Sequence, residues 1–156
     1  MIKIEHSVVI EAGLQEVFAY ASDWRYWADW FDGTSDFAPT ADVERGNGAR
    51  YRYKAWVMGL PATVETEIQD FVENSGWTGV ATRGIPHRTS WHFEAVGDFT
   101  RFTYGLEGGI PIPVIGPILD ALIMKGKWRQ ILETSLENLR SKYSSPTDSQ
   151  GGADHV

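Results

Sequence analysis

Polar and apolar residues alternate at the start of the chain, with Ile2, Ile4, His6, Val8 and Ile10 on one parity and Lys3, Glu5, Ser7 and Val9 on the other. A period of two with one mostly apolar face predicts a strand over Ile2 to Ile10. The period then changes. Leu14, Val17, Phe18 and Ala21 recur at helical spacing, and Trp24, Trp27, Ala28 and Phe31 do so again after Ser22-Asp23, a natural N-cap pair, so two short helices are expected. From about Thr34 to Gly108 the period returns to two, interrupted at Gly46-Asn47-Gly48, Gly59-Leu60-Pro61, Asn74-Ser75-Gly76, Gly84-Ile85-Pro86 and Gly97-Asp98. Six strands joined by tight turns fit that spacing. Strands joined so closely must be antiparallel, because a parallel pair needs a crossover of about a dozen residues or more. Beyond Pro117 the period is helical to about Tyr143, roughly 26 residues or about 39 Å, enough to cross the sheet. The remaining SSPTDSQGGADHV is small and polar with nothing to bury, so one domain is expected over 1–143 and a disordered tail over 144–156.

Adding strand one to the meander gives a curved, seven-stranded antiparallel sheet around one long helix, an α+β arrangement of two layers on one core. A strongly bent sheet cannot be filled by a single helix. The parity that faces inward supplies Tyr51, Tyr53, Val57, Val64, Ile68, Trp77, Trp91, Phe93, Phe102, Tyr104 and Leu106, whereas Arg52, Lys54, Glu65, Glu67, His92, Glu94, Arg101 and Glu107 take the solvent side. The inward set is rich in rings, and large rings around unfilled volume make a binding cavity.

The order of strand, two short helices, six-stranded meander and long helix resembles the helix-grip fold of the START-like or SRPBCC superfamily, in its polyketide cyclase/dehydrase and lipid-transport branch. The opening IEAGLQEVFAYASDWRYWADWF carries most of the likeness, with ERGNGARYRY at the hairpin between strands two and three and LENLRSKY at the end of the last helix. Gly13 stands where many relatives carry proline before the first helix. The resemblance covers nearly the whole chain to Tyr143 and implies a deep cavity for lipids, polyketides, quinones or other hydrophobic ligands. It implies no single catalytic set, since members include carriers, cyclases, co-chaperones and allergens.

Composition narrows the partners. There are no cysteines, which removes disulfide-scaffold, zinc-ribbon and thiol-nucleophile readings and fits a reducing compartment, with the cytoplasm as default. A net charge of −7 without a basic, aromatic-interleaved cluster argues against nucleic acid. MIKIEHSVVI lacks the basic stretch and apolar block of a signal peptide, so the mature chain is expected to start at or near Met1. The longest apolar run, Gly109 to Met124, holds three prolines and Asp120, so no integral membrane segment is expected. Within it, IPIPVIGPILDALIM is apolar nearly all round and is expected to cap the cavity mouth, with a homodimer contact as the second reading and contact with a membrane surface during ligand exchange as another.

No chemical motif stands out. The four histidines, His6, His87, His92 and His155, show no metal-ligand spacing, no Ser lies in a G-x-S-x-G context, and no metal or cofactor is expected. His6 shares parity with four aliphatics and should point inward, as a hydrogen-bonded core imidazole or as a general base. Tyr51, Tyr53 and Tyr104 can orient a ligand through their phenols or simply pack, and Trp77, Trp91, Phe93 and Phe102 read as walls. Arg83 lies beside a turn and reads as an exposed strand end. On the last helix, about 100° per residue puts Ile118, Leu122, Leu132, Leu136, Leu139 and Tyr143 on one stripe, with Lys125 and Arg129 inside it. Those cations either run along apolar surface to water past a bend at Gly126, or anchor the acidic head of an apolar ligand. The expected function is binding or transport of a small hydrophobic molecule. A cyclase/aromatase-type enzyme and a protein-interaction module such as a co-chaperone are the alternatives.

Overall fold

The computed structural model describes residues 2–57, 59–108 and 117–144, with the backbone alone for 57 and 117–124. The tail beyond 144, His155 and residues 110–116 of the segment expected to cap the mouth lie outside these residues, as do the side chains of Val57 and of 117–124, Ile118 and Leu122 among them. The elements are β1 (Ile2–Ile10), α1 (Leu14–Ala21), a 3₁₀ turn (Trp24–Tyr26), α2 (Trp27–Trp30), β2 (Thr34–Pro39), β3 (Arg50–Val57), β4 (Leu60–Val72), β5 (Gly76–Arg83), β6 (His87–Val96), β7 (Phe99–Gly108) and α3 (Pro117–Tyr143). The sheet has seven strands in the order β1-β7-β6-β5-β4-β3-β2, every pairing antiparallel. This is the helix-grip arrangement, a curved sheet with α1 and α2 following its first strand and α3 packed against β1 and α2.

Local chemistry explains the breaks between elements. Asp23 caps the 3₁₀ turn, its carboxylate accepting the Arg25 backbone N–H at 3.1 Å, while the Trp27 indole donates to the Ala21 carbonyl at 2.8 Å and ties α2 to the end of α1. Gly84 sits at φ +87°, and a Cβ there would lie 2.5 Å from the Thr63 carbonyl oxygen, so this turn requires glycine. That turn aims Ile85 and His87. The β3–β4 hairpin extends past its neighbour, because β4 pairs with β3 from Leu60 but with β5 only from Glu65. Pro61 is tolerated there because one side of the strand has no partner to receive a hydrogen bond.

Register carries the inward rings into contact. Trp77 pairs with Trp91, Phe93 with Phe102, and His6 with Tyr104. Tyr51, Val64, Ile68, Trp77, Trp91, Phe93, Phe102 and Tyr104 are all buried, together with Val17 and Phe18 of α1 and Leu132, Leu136 and Leu139 of α3. The α3 stripe also holds a fully buried Ser135, whose hydroxyl donates to the Ile131 carbonyl at 2.7 Å and accepts the Asp32 backbone N–H at 2.8 Å. A polar residue in the stripe thus ties the helix to the turn after α2.

Candidate functional site

The interior divides along its length. At the α1 end the rings close on one another: Phe93 and Phe102 stack at 4.3 Å with planes 8° apart, and Phe18 meets Phe93 edge-on at 5.1 Å. Trp77 and Trp91 stack at 4.4 Å and form the boundary. On their other side lie two adjoining chambers, an inner one of about 40 Å³ and a mouth chamber of about 110 Å³. Phe31, Thr34, Tyr53 and Tyr104 border both. The inner chamber is floored by Gly79 and Thr89, where a Cβ on Gly79 would lie 2.5 Å from the Thr89 hydroxyl oxygen. The mouth is framed by Trp56 and Leu106 of the sheet, by Ile85 of the turn before β6, and by Trp128, Ile131 and Leu132, spaced as one face of α3. The hairpin beyond it is exposed and apolar, Trp56 at 52% and Leu60 at 71%. A groove of about 430 Å³ on the outside, beside Asp23, Arg45 and Glu73, is larger. Its charges already answer one another, Arg45 pairing Glu73 at 2.8 Å and lying over the Phe71 ring at 5.0 Å.

Polar atoms converge where the two chambers meet. His87 Nδ1 lies 2.7 Å from the Ile85 carbonyl, which can only accept, so Nδ1 carries the hydrogen. Burial holds the imidazole below its ordinary pKa and favours the neutral ring, so Nε2 offers a lone pair to the Tyr53 hydroxyl at 3.3 Å. Burial also drives the Tyr53 phenol well above the usual range, partly opposed by the nearby Thr66 hydroxyl. Tyr104 is raised likewise, by burial first and then by the neighbouring Tyr53, with the nearby Thr89 hydroxyl opposing the shift. The Trp91 indole donates to the same Thr89 hydroxyl at 3.2 Å. Such a site keeps both phenols and the imidazole uncharged at neutral pH. It can position a neutral polar group, and its imidazole can accept a proton.

The expected site residues divide into three groups. Tyr53, Trp77, Trp91 and Tyr104 border the inner chamber. Tyr51, Phe93 and Phe102 face inward but are packed as core; the Tyr51 hydroxyl donates to the Glu44 carbonyl, and burial pushes its pKa up to about 12. His6, Lys125 and Arg129 border neither chamber. His6 is half-buried on β1, the strand that α3 packs against. The placement of Lys125 and Arg129 inside the buried stripe is corrected: both are exposed. Described packing on α3 begins near Trp128, so Lys125 stands a turn beyond it, and Arg129 lies about 70° from the mean direction of Leu132, Ser135, Leu136 and Leu139, at the edge of the buried face. Arg83 is exposed, as expected. His87, Thr66 and Thr89 were not singled out for chemistry; the two threonines share parity with buried neighbours, and that signal was available in the sequence.

Among the described residues no group of three or more potential ligands is arranged to hold a metal, and no helix is long and apolar enough to cross a membrane. A helix-grip domain with a small aromatic-walled, uncharged interior is what the fold and site define. The chain belongs to the family described as polyketide cyclase/dehydrase and lipid transport, which residues 1–144 match. Its fold is similar to that of TTHA0849 from Thermus thermophilus, with 20% identity over 91% of this chain and 99% of that one and a TM-score of 0.74. A START superfamily protein from Mycobacterium smegmatis is similar at 17% identity over 92% and 100% of the two chains, TM-score 0.74. The Zhui aromatase/cyclase from Streptomyces sp. R1128 is similar at 15% identity over 97% and 98%, TM-score 0.70. At these identities the likeness is one of fold. No curated protein matches the chain.

Proposed function

We propose that the protein binds a small, largely apolar molecule in the two chambers, seated against Trp77 and Trp91 with its polar group among Tyr53, His87 and Tyr104. The observation that carries this reading is the convergence of hydrogen-bonding side chains on a space otherwise walled by rings. Family membership supports it, since the family's description includes lipid transport. Native mass spectrometry of freshly purified protein, with solvent extraction and intrinsic tryptophan fluorescence, tests it. Trp56, Trp91 and Trp128 border the chambers, so an occupant should change the emission. Protein that carries no small molecule and shows no emission change with any apolar ligand up to its solubility limit would overturn the reading.

A second reading, an enzyme of cyclase/aromatase type, is favoured by the neutral His87 held between Ile85 and Tyr53. An imidazole so placed can take a proton from a carbon next to a carbonyl while a phenol donates to the carbonyl oxygen. Ring closure of a supplied poly-β-keto chain, abolished by His87→Gln, separates this reading from simple binding.

A further inference from the structure

At the junction of the chambers the donors and acceptors are matched on one side and not on the other. Around Tyr53 they match: its hydroxyl donates to His87 Nε2 at 3.3 Å. The Thr34 hydroxyl donates to the Phe31 carbonyl at 3.2 Å. Around Tyr104 they do not match. Among the described residues no acceptor stands within hydrogen-bonding distance of the Tyr104 hydroxyl, and the nearby Thr89 hydroxyl already accepts from the Trp91 indole at 3.2 Å. Thr89 lies in the inner chamber, whose volume of about 40 Å³ is room for only a few waters. Tyr104 reaches the mouth chamber as well. The donor that an occupant meets is therefore the Tyr104 hydroxyl.

Size sets the rest of the occupant. The mouth chamber, about 110 Å³, is somewhat below the ~150 Å³ of an engineered apolar cavity in another protein that takes benzene. With the adjoining inner chamber of about 40 Å³, the space matches one ring carrying a short polar substituent. Charge is also excluded, because the imidazole is held neutral and Lys125 and Arg129 are exposed and outside the chamber, so a carboxylate would be desolvated without a partner.

Building on the proposed binding function, we infer that the ligand class is a neutral, single-ring molecule bearing a carbonyl group, with the carbonyl oxygen accepting from Tyr104. The probes that test this are acetophenone, ethylbenzene and benzoate, which share one ring and differ in acceptor and charge, titrated by tryptophan fluorescence and calorimetry. Acetophenone should bind about three- to tenfold more tightly than ethylbenzene, the range expected for one neutral hydrogen bond set against an unpaired donor, and benzoate at least about tenfold more weakly than acetophenone. Tyr104→Phe should bring the ketone-to-hydrocarbon ratio close to one while ethylbenzene still binds. As a reading that needs no variant, the carbonyl stretch of labelled acetophenone should move to lower frequency in the complex than in an alkane solvent. Equal binding of ketone and hydrocarbon, a ratio unchanged in Tyr104→Phe, an unshifted stretch, or benzoate as the tightest probe would each overturn the inference and leave the binding function standing. Failure of all three probes to bind up to their solubility limits would overturn the inference, and only a protein that carries no small molecule and responds to no apolar ligand would overturn the binding function with it.

Discussion

At the α1 end of the interior Phe18, Phe93 and Phe102 are fully buried and packed ring against ring, whereas at the α3 end Tyr53, His87 and Tyr104 border open volume, although strands of one sheet supply most of both sets. The two ends differ in what covers them. α1 lowers Val17 and Phe18 into the sheet and fills the space, while over the mouth the described part of α3 brings Trp128, Ile131 and Leu132 to the rim of the chamber. An empty apolar void of about 110 Å³ would cost about 2.6 kcal/mol at ~24 cal/mol per Å³, a large share of a typical domain's stability. A polar-lined void avoids much of that penalty by holding water, and releases the water when a ligand enters. The same inward parity thus yields core at one end and a site at the other, according to whether a helix side chain fills the bend.

Truncation tests that contrast most strongly. Phe102→Ala should destabilise by about 3–5 kcal/mol in urea unfolding, since it removes a ring stacked and buried on all sides. Trp128→Ala at the rim should cost less than about 1 kcal/mol while weakening ligand binding. Equal losses of stability would erase the distinction between the ends. The next effect concerns pH. Burial lowers the His87 pKa from its ordinary 6.5, so between the folded and unfolded values the unfolded chain binds more protons. Stability from this group is then complete above about pH 6.5 and is lost as pH falls through the folded value, by at most about 1.4 kcal/mol per unit. His87→Gln should flatten that part of the curve and leave the carboxylate region, where Glu65, Glu67 and Glu73 titrate, unchanged. A slope that survives the substitution would assign the effect elsewhere.

The order of elements was legible because each boundary has a local chemical cause: Asp23 at the 3₁₀ turn, Gly84 at φ +87°, and alternation that a single-residue slip would invert. The aromatic inward face followed from the same alternation. Which of those rings border space was not legible, because parity says that Phe93 and Tyr104 face one side and nothing about what stands opposite. The polar cluster was missed for a related reason. His87 follows a Gly-Ile-Pro turn and looks like a strand end until Ile85 folds back to its Nδ1. Helical projection failed at Lys125 because an angle about the axis does not say where along the axis packing begins, and at Arg129 because the stripe drawn from the sequence is wider than the face that packs.

Tyr53→Phe probes the mouth more gently. It removes the donor to His87 Nε2 and should cost about 0.5–1.5 kcal/mol, while leaving Phe93–Phe102 packing untouched in near-ultraviolet circular dichroism. Arg129→Leu should have the smallest effect of all. The side chain is exposed and borders neither chamber, so stability should move by less than about 0.5 kcal/mol. Affinity for acetophenone should stay within about twofold, and benzoate binding should be equally weak in both proteins. The measurement separates two pictures of the mouth: a carboxylate anchor on α3, and an uncharged junction on the sheet. A loss of benzoate binding of tenfold or more in Arg129→Leu would place the polar end of the ligand against the helix and move the site away from Tyr53, His87 and Tyr104.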